Sequence, residues 1–159
     1  MKSARVVAPL DAELEPMEVV VRDHCPEYDQ AAEELWTATG ARPCRQGAPT
    51  IRLVACDGGT GEFLGVADCY RTFPPEHALG AVAVMPGQRR RGIGRVLLRA
   101  LADAALYDGR RTLCGFVLDD DLAAWRLFHA AGMPIRIHEV EGGLYYEVEL
   151  LSPGRGSNR

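Results

Sequence analysis

The segment GAVAVMPGQRRRGIGRVLLRALADAA, residues 80–105, constrains this chain more than any other. A run of small apolar residues, 78–84, reads as a continuous strand. A basic, glycine-bearing loop follows. Val96, Leu97, Ala100, Leu101 and Ala104 then recur at the three-and-four spacing of an amphipathic helix. That helix is expected over 94–108, with Gly109 closing it. A helix start leaves backbone N–H groups unpaired and carries partial positive charge. Glycines let an anion approach the backbone closely, and arginines add attraction and bidentate donors. Together they favour a bound phosphate group. The plainer alternative is a solvated basic loop with a cap. The loop is not a Walker A loop, because GxxxxGK[ST] is absent. A dinucleotide fingerprint fails as well, since its third glycine position holds Leu97.

The remaining chain alternates strand and helix signals. Residues 1–16 read as an N-terminal arm or short extra strand. Residues 17–23 are β-rich. Residues 26–40 open with Pro, carry early acids and end in Gly, which predicts a helix. Two strands flank the Gly58-Gly59 turn over 50–72. A strand over 111–118 precedes a helix over 119–132, and two last strands surround Gly142-Gly143. Residues 151–159 read as a disordered tail. The fold class is therefore α/β with a mixed sheet flanked by helices, in a single domain over 17–150.

Charge and cysteine usage narrow the partners. A net charge of −4 argues against nucleic acid, including a tRNA acceptor, and is compatible with a cationic substrate such as an amine. No apolar stretch of about 18 residues appears, so no membrane span is expected. The five cysteines are scattered and hold no CxxC pair. That fits a reducing cytoplasm rather than a disulfide framework, and predicts no metal site. The oligomeric state, a homodimer included, stays open.

The pattern Val84-x-Pro86-x-x-Arg89-x-x-Gly92-x-Gly94 resembles the acyl-CoA pyrophosphate loop of the GNAT superfamily of N-acyltransferases, which reads Q/R-x-x-G-x-G/A after a strand and at a helix start. Residues 121–133 resemble the family's second segment, N-x-x-A-x-x-x-Y-x-x-x-G-F, with Ala124, Gly132 and Met133 in register. The order of elements over 17–150 is similar too. The resemblance implies a GNAT-like mixed sheet that splays open at its centre, with acetyl-CoA as co-substrate and no metal. It implies that backbone groups of Val82, Ala83 and Val84 pair with the pantetheine arm like a substitute strand. It further implies that the loop of Arg89, Arg90, Arg91, Gly92, Ile93, Gly94 and Arg95 holds the pyrophosphate. The activity implied is acetyl transfer to a primary amine of a small metabolite, an antibiotic or a peptide. The alternative is a module that binds acyl-CoA with little turnover.

The chemistry departs from the family's pattern. Phe128 stands where a tyrosine often protonates the leaving thiolate. Asp121 stands at the Asn position, Phe116 stands at one common base location, and 78–84 carries no acid at another. Glu76, His77 and Asp68 are the replacements for a base. Asp68 interrupts an apolar run, and its plainer reading is an outward-facing residue on a half-exposed strand. Tyr145 and Tyr146 offer phenols, of which alternation sends only one to a given face. His129, one position after Phe128, reads as surface, and Trp36 and Trp125 as core or rim. The segments around 24–50 and 138–146 are expected to shape the acceptor pocket.

Overall fold

The computed structural model describes residues 3–7, 17–23, 25–39, 47–89, 91–117, 122–140 and 143–150. Eight strands form one sheet: β1 (Ser3–Val7), β2 (Glu18–Asp23), β3 (Ile51–Asp57), β4 (Phe63–Arg71), β5 (His77–Val84), β6 (Thr112–Val117), β7 (Ile135–Val140) and β8 (Gly143–Glu149). Three helices accompany them: α1 (Asp29–Thr39), α2 (Ile93–Tyr107) and α3 (Leu122–Ala131). The spatial order is β1-β2-β3-β4-β5-β6-β8-β7. Every neighbouring pair is antiparallel except β5–β6, which is parallel and needs α2 as its crossover.

Residues 3–7 add a strand that pairs with β2 from Ser3↔Arg22 to Val7↔Glu18. The helix expected over 26–40 begins instead as a short tight turn, Pro26–Tyr28, before α1 proper. Proline at the first helical position favours such an entry, since its missing N–H is one no helix start can pair. The expected tail at 151–159 lies outside the described residues.

Alternation along the strands sorts the core into two layers. On one face α2 and α3 bury Leu97, Leu101 and Phe128 against Leu53, Ala67, Ala78, Leu113, Tyr146 and Val148. On the other, α1 buries Ala32, Leu35 and Trp36 against Val66 and Ala83. Small residues on β4 and β5 let helices approach both faces of the sheet's centre.

The sheet's continuity fails at one place. Strand β5 pairs with β4 along its whole length, from Ala78↔Arg71 to Val84↔Gly65. With β6 it pairs only over His77↔Thr112, Ala78↔Leu113 and Leu79↔Cys114. Beyond Leu79 the two strands diverge, so the expected splayed mixed sheet is present. Gly80 and Gly115 stand just past the last pair. A Cβ on Gly80 would lie 2.6 Å from Leu113, and one on Gly115 would lie 2.7 Å from the Tyr146 phenol oxygen. Both positions require glycine for lack of space.

Candidate active site at the divergence of β5 and β6

The open end of the divergence faces the start of α2. Strand β5 ends at Val84, a short turn covers Pro86–Gln88, and Gly92 caps the helix. Gly92 has φ +78°, a left-handed conformation that L side chains adopt at a cost. No side chain caps the helix. The first backbone bond of its opening turn runs from Val96 N–H to the Gly92 carbonyl, at 3.1 Å. The amides of Ile93, Gly94 and Arg95 therefore have no intrahelical acceptor. A Cβ at Gly94 would come within 3.3 Å of Leu127 on α3, so glycine keeps this approach narrow but open.

The loop arginines differ from one another. Arg89 is exposed, Arg91 and Arg95 are half-buried, and Arg90 lies outside the described residues. Arg91 donates to the Gln88 side chain at 2.6 Å, while its Nε is buried with no hydrogen-bond partner. Ile93 is only 1% exposed, so it can offer a ligand its backbone and not its side chain. Val82 and Val84 are half-buried, and Ala83 packs toward α1. Their edge of β5 carries no ladder to β6. These features fit a phosphate-bearing thioester with an amide-rich arm: free amides, an orphaned guanidine N–H and an unpaired strand edge.

The three proposed base residues do not converge. Glu76 is exposed, and its carbonyl accepts from the amides of Arg111 and Thr112 at 2.7 and 3.2 Å. That closes the laddered end of β5–β6 rather than the open end. His77 is half-buried at the same end, paired with Thr112, and its Nδ1 is buried without a partner. Asp68 is wholly buried, which corrects the outward-facing expectation. It stands opposite Arg52 in the β3–β4 register. Arg52 grips both carboxylate oxygens, Nε to Oδ1 at 2.8 Å and Nη2 to Oδ2 at 2.7 Å. The Trp36 indole donates to Oδ2 at 2.8 Å. Bonding to Asp68 raises the Arg52 guanidinium above its ordinary value, more than burial lowers it. Arg52 also meets Glu33 at 2.8 Å and Asp29 at 3.4 Å. Asp68 thus anchors α1 to the sheet, and its lone pairs are engaged away from the divergence.

Sequence reasoning missed Arg52. Counting back along the two strands from the Gly58-Gly59 turn would have missed it too, because a register shift between Ala55 and Cys56 is what brings Arg52 opposite Asp68. Beside this cluster lies a cavity of about 520 Å³ lined by Asp23, Asp29, Glu33, Thr50 and Arg52 among others. Its lining draws on parts of 24–50, the segment expected to shape the acceptor pocket.

The two tyrosines separate as alternation requires. Tyr145 turns to the α1 face, where burial and a bond with the Cys114 thiol push its phenol up. Tyr146 turns to the α2–α3 face and is 4% exposed. Its ring lies 4.5 Å from that of Phe128, and its hydroxyl donates to the Gly80 carbonyl at 2.7 Å. Trp36 is core and His129 is exposed, as expected. The side chains of Phe116 and Trp125 lie outside the described residues, as does Asp121. Among the described residues no group of three or more His, Cys, Asp or Glu could hold a metal, and no helix is long and apolar enough to cross a membrane. Cys25, Cys56, Cys69 and Cys114 are free thiols.

The model of the acetyltransferase (GNAT) family matches residues 11–133. A search of curated proteins by sequence finds no match. Solved structures are similar throughout. The GNAT domain of S. lividans PAT aligns with a TM-score of 0.72 at 19% identity, over 93% of this chain and 97% of that one. The protein yncA of Salmonella typhimurium, solved with its cofactor acetyl-CoA, aligns at 0.67 and 19%, over 87% and 96%. Diaminobutyrate acetyltransferase EctA from Paenibacillus lautus, solved with L-2,4-diaminobutyric acid and coenzyme A, aligns at 0.64 and 21%, over 84% and 96%.

Proposed function

This chain belongs to the acetyltransferase (GNAT) family, and from that premise we propose that it transfers an acetyl group from acetyl-CoA to a primary amine by direct attack. The observation that carries the reading is the alignment of two vacant backbone surfaces: the unladdered β5 edge past Leu79, and the uncapped first turn of α2. Backbone groups of Val82, Ala83 and Val84 would hold the amide-bearing arm. The amides from Arg91 to Arg95 would hold the pyrophosphate, with the arginines adding charge. Bound there, acetyl-CoA would supply an activated acyl carbon at the inner end of the divergence.

The acceptor approaches from the α1 face, where Asp23, Asp29 and Glu33 outnumber Arg52 around the cavity. Such a lining favours a cationic amine. No carboxylate among Asp68 and Glu76 reaches the divergence, so positioning of the amine carries much of the rate. This arrangement also favours a second reading, a module that binds acyl-CoA with little turnover.

Release of free thiol from acetyl-CoA, with and without a panel of small amines, decides between the two. Amine-dependent release by the intact chain is expected. Binding of coenzyme A by calorimetry without release by any amine would select the binding module. Absence of binding at millimolar coenzyme A would overturn both.

A further inference from the structure

Helix α1 packs on β4 and β5 and leaves the same face of β6, β8 and β7 open. From the opposite side α2 and α3 bury Leu113, Tyr146 and Val148. Alternation therefore turns Thr112, Glu147 and Glu149 to the α1 side, and register places Arg136 beside Glu147 there. Glu147 is half-buried, while Arg136 and Glu149 are exposed. Together with Arg111 these residues line a second cavity, of about 290 Å³.

The charges around this cavity are not spent on one another. Among the described residues Arg111, Arg136 and Glu149 form no ion pair, and Glu147 meets only His138, at 3.9 Å. The cavity beside α1 differs, because its guanidinium, Arg52, is closed on Asp68 and Glu33. Guanidinium groups and carboxylates that stay apart around one cavity match a ligand carrying both signs. We infer that this cavity holds the head group of the acceptor, an α-amino acid with a primary amine on its side chain. The inference rests on the acyl-transfer reading above and narrows its substrate class. Arg111 and Arg136 bind the α-carboxylate, and Glu147 and Glu149 bind the α-ammonium. Both groups of the head are then held, so the amine that reacts is a third group, on the side chain.

Register sets the reach that this requires. Leu79, Cys114 and Glu147 stand in one row across β5, β6 and β8, and that row is the last before β5 and β6 part. At about 4.8 Å between strands, Glu147 lies roughly 10 Å from β5. An extended aliphatic side chain spans most of that distance and brings its terminal amine to the divergence. There the nitrogen bonds to the acyl carbon as the carbon–sulfur bond breaks. The electron pair stays on sulfur, and the proton shed by nitrogen leaves with the coenzyme A thiol. An amino acid with no side-chain amine would fill the cavity and leave the acyl group untouched.

The test uses the full chain and probes of similar length. They are L-lysine, cadaverine (no carboxylate), ε-aminocaproate (no α-ammonium) and Nα-acetyl-lysine amide, which imitates a lysine inside a peptide. Thiol release from acetyl-CoA should give L-lysine a kcat/KM about tenfold or more above each of the others. Arg136→Gln should narrow the preference for lysine over cadaverine by about tenfold, and Glu147→Gln the preference for lysine over ε-aminocaproate by about as much. A rate for any other probe equal to that for lysine, or preferences that neither substitution moves, would overturn the inference and leave acyl transfer intact. Where the chain binds coenzyme A but no amine releases thiol, calorimetry of L-lysine against that complex decides. Binding about tenfold tighter than that of cadaverine supports the head-group site, and equal or absent binding overturns it. A chain that binds no coenzyme A would overturn the acyl-transfer reading and this inference with it.

Discussion

On its β4 side, β5 is laddered from end to end, and the polar group buried there, Asp68, has both oxygens gripped by Arg52 and one shared with Trp36. On its β6 side, the ladder stops at Leu79, and the polar group buried there, Tyr146, makes one hydrogen bond, to a backbone carbonyl. The two edges of one strand thus carry opposite kinds of burial. A buried carboxylate is tolerable only when its charge is matched and its lone pairs are filled, and then it contributes order rather than reactivity. A buried phenol costs far less to leave half-engaged, because it is neutral. The rigid edge holds β5 in place, and the open edge leaves backbone groups for a ligand to pair.

Replacing Asp68 by Ala should break this contrast most severely. It takes Asp68 from the Trp36 indole and from the 13%-exposed Arg52 side chain, which keeps Glu33 and Asp29, so the loss should lie at the low end of the ~3–5 kcal/mol of a broken buried pair. Chemical denaturation of the variant measures it. Where the variant is folded, its affinity for coenzyme A should stay within about threefold of the parent. An affinity lost along with the stability would mean that the two edges are not separable.

Gly92→Asp acts on the other edge and should do the reverse. The substitution forces an L side chain into a left-handed turn and sets a negative charge where phosphate is expected. Affinity for coenzyme A should fall more than tenfold, about 1.4 kcal/mol or more. Titration calorimetry reads it, and an unchanged affinity would place the pyrophosphate elsewhere.

The smallest effect sharpens the comparison from within the core. Burial pushes the Cys69 thiol on β4 up to about 12. A thiol whose pKa is raised on folding contributes stability that is complete below its unfolded value and lost as pH climbs toward the folded one. Stability should therefore decline as pH rises from about 9 toward 12, and replacing Cys69 by Ser should flatten that decline. A slope identical in parent and variant would assign the alkaline loss to other groups.

How far the sequence alone reveals this depends on which interactions are local. The strand, loop and helix of 78–108 were legible because their signals are short-range: an apolar run, glycines and a helical period. The βα order over 17–150 followed from the same kind of signal. Asp68 was visible as an anomaly, but its partners lie on β3 and α1, and burial with a matched charge is a property of the assembled sheet. Tyr145 and Tyr146 could be told apart in principle by alternation, yet which faced the opening depended on the register of β6 with β8. Gly80 and Gly115 gave no local turn signal. Their role appears only when neighbouring side chains crowd the space a Cβ would take.

The turn at Gly92 also makes its position selective for handedness, in the sense opposite to the rest of the helix it opens. Glycine has no enantiomer, so it takes φ +78° without the roughly 1–2 kcal/mol that an L residue meets in that region. A D-alanine installed there by chemical ligation would meet the mirror-image sterics and sit without that strain. The amides offered to an anion at this helix start are thus set by the sense of a single achiral residue. A D-amino acid there would leave them pointing as glycine does, while L-alanine would pull against them.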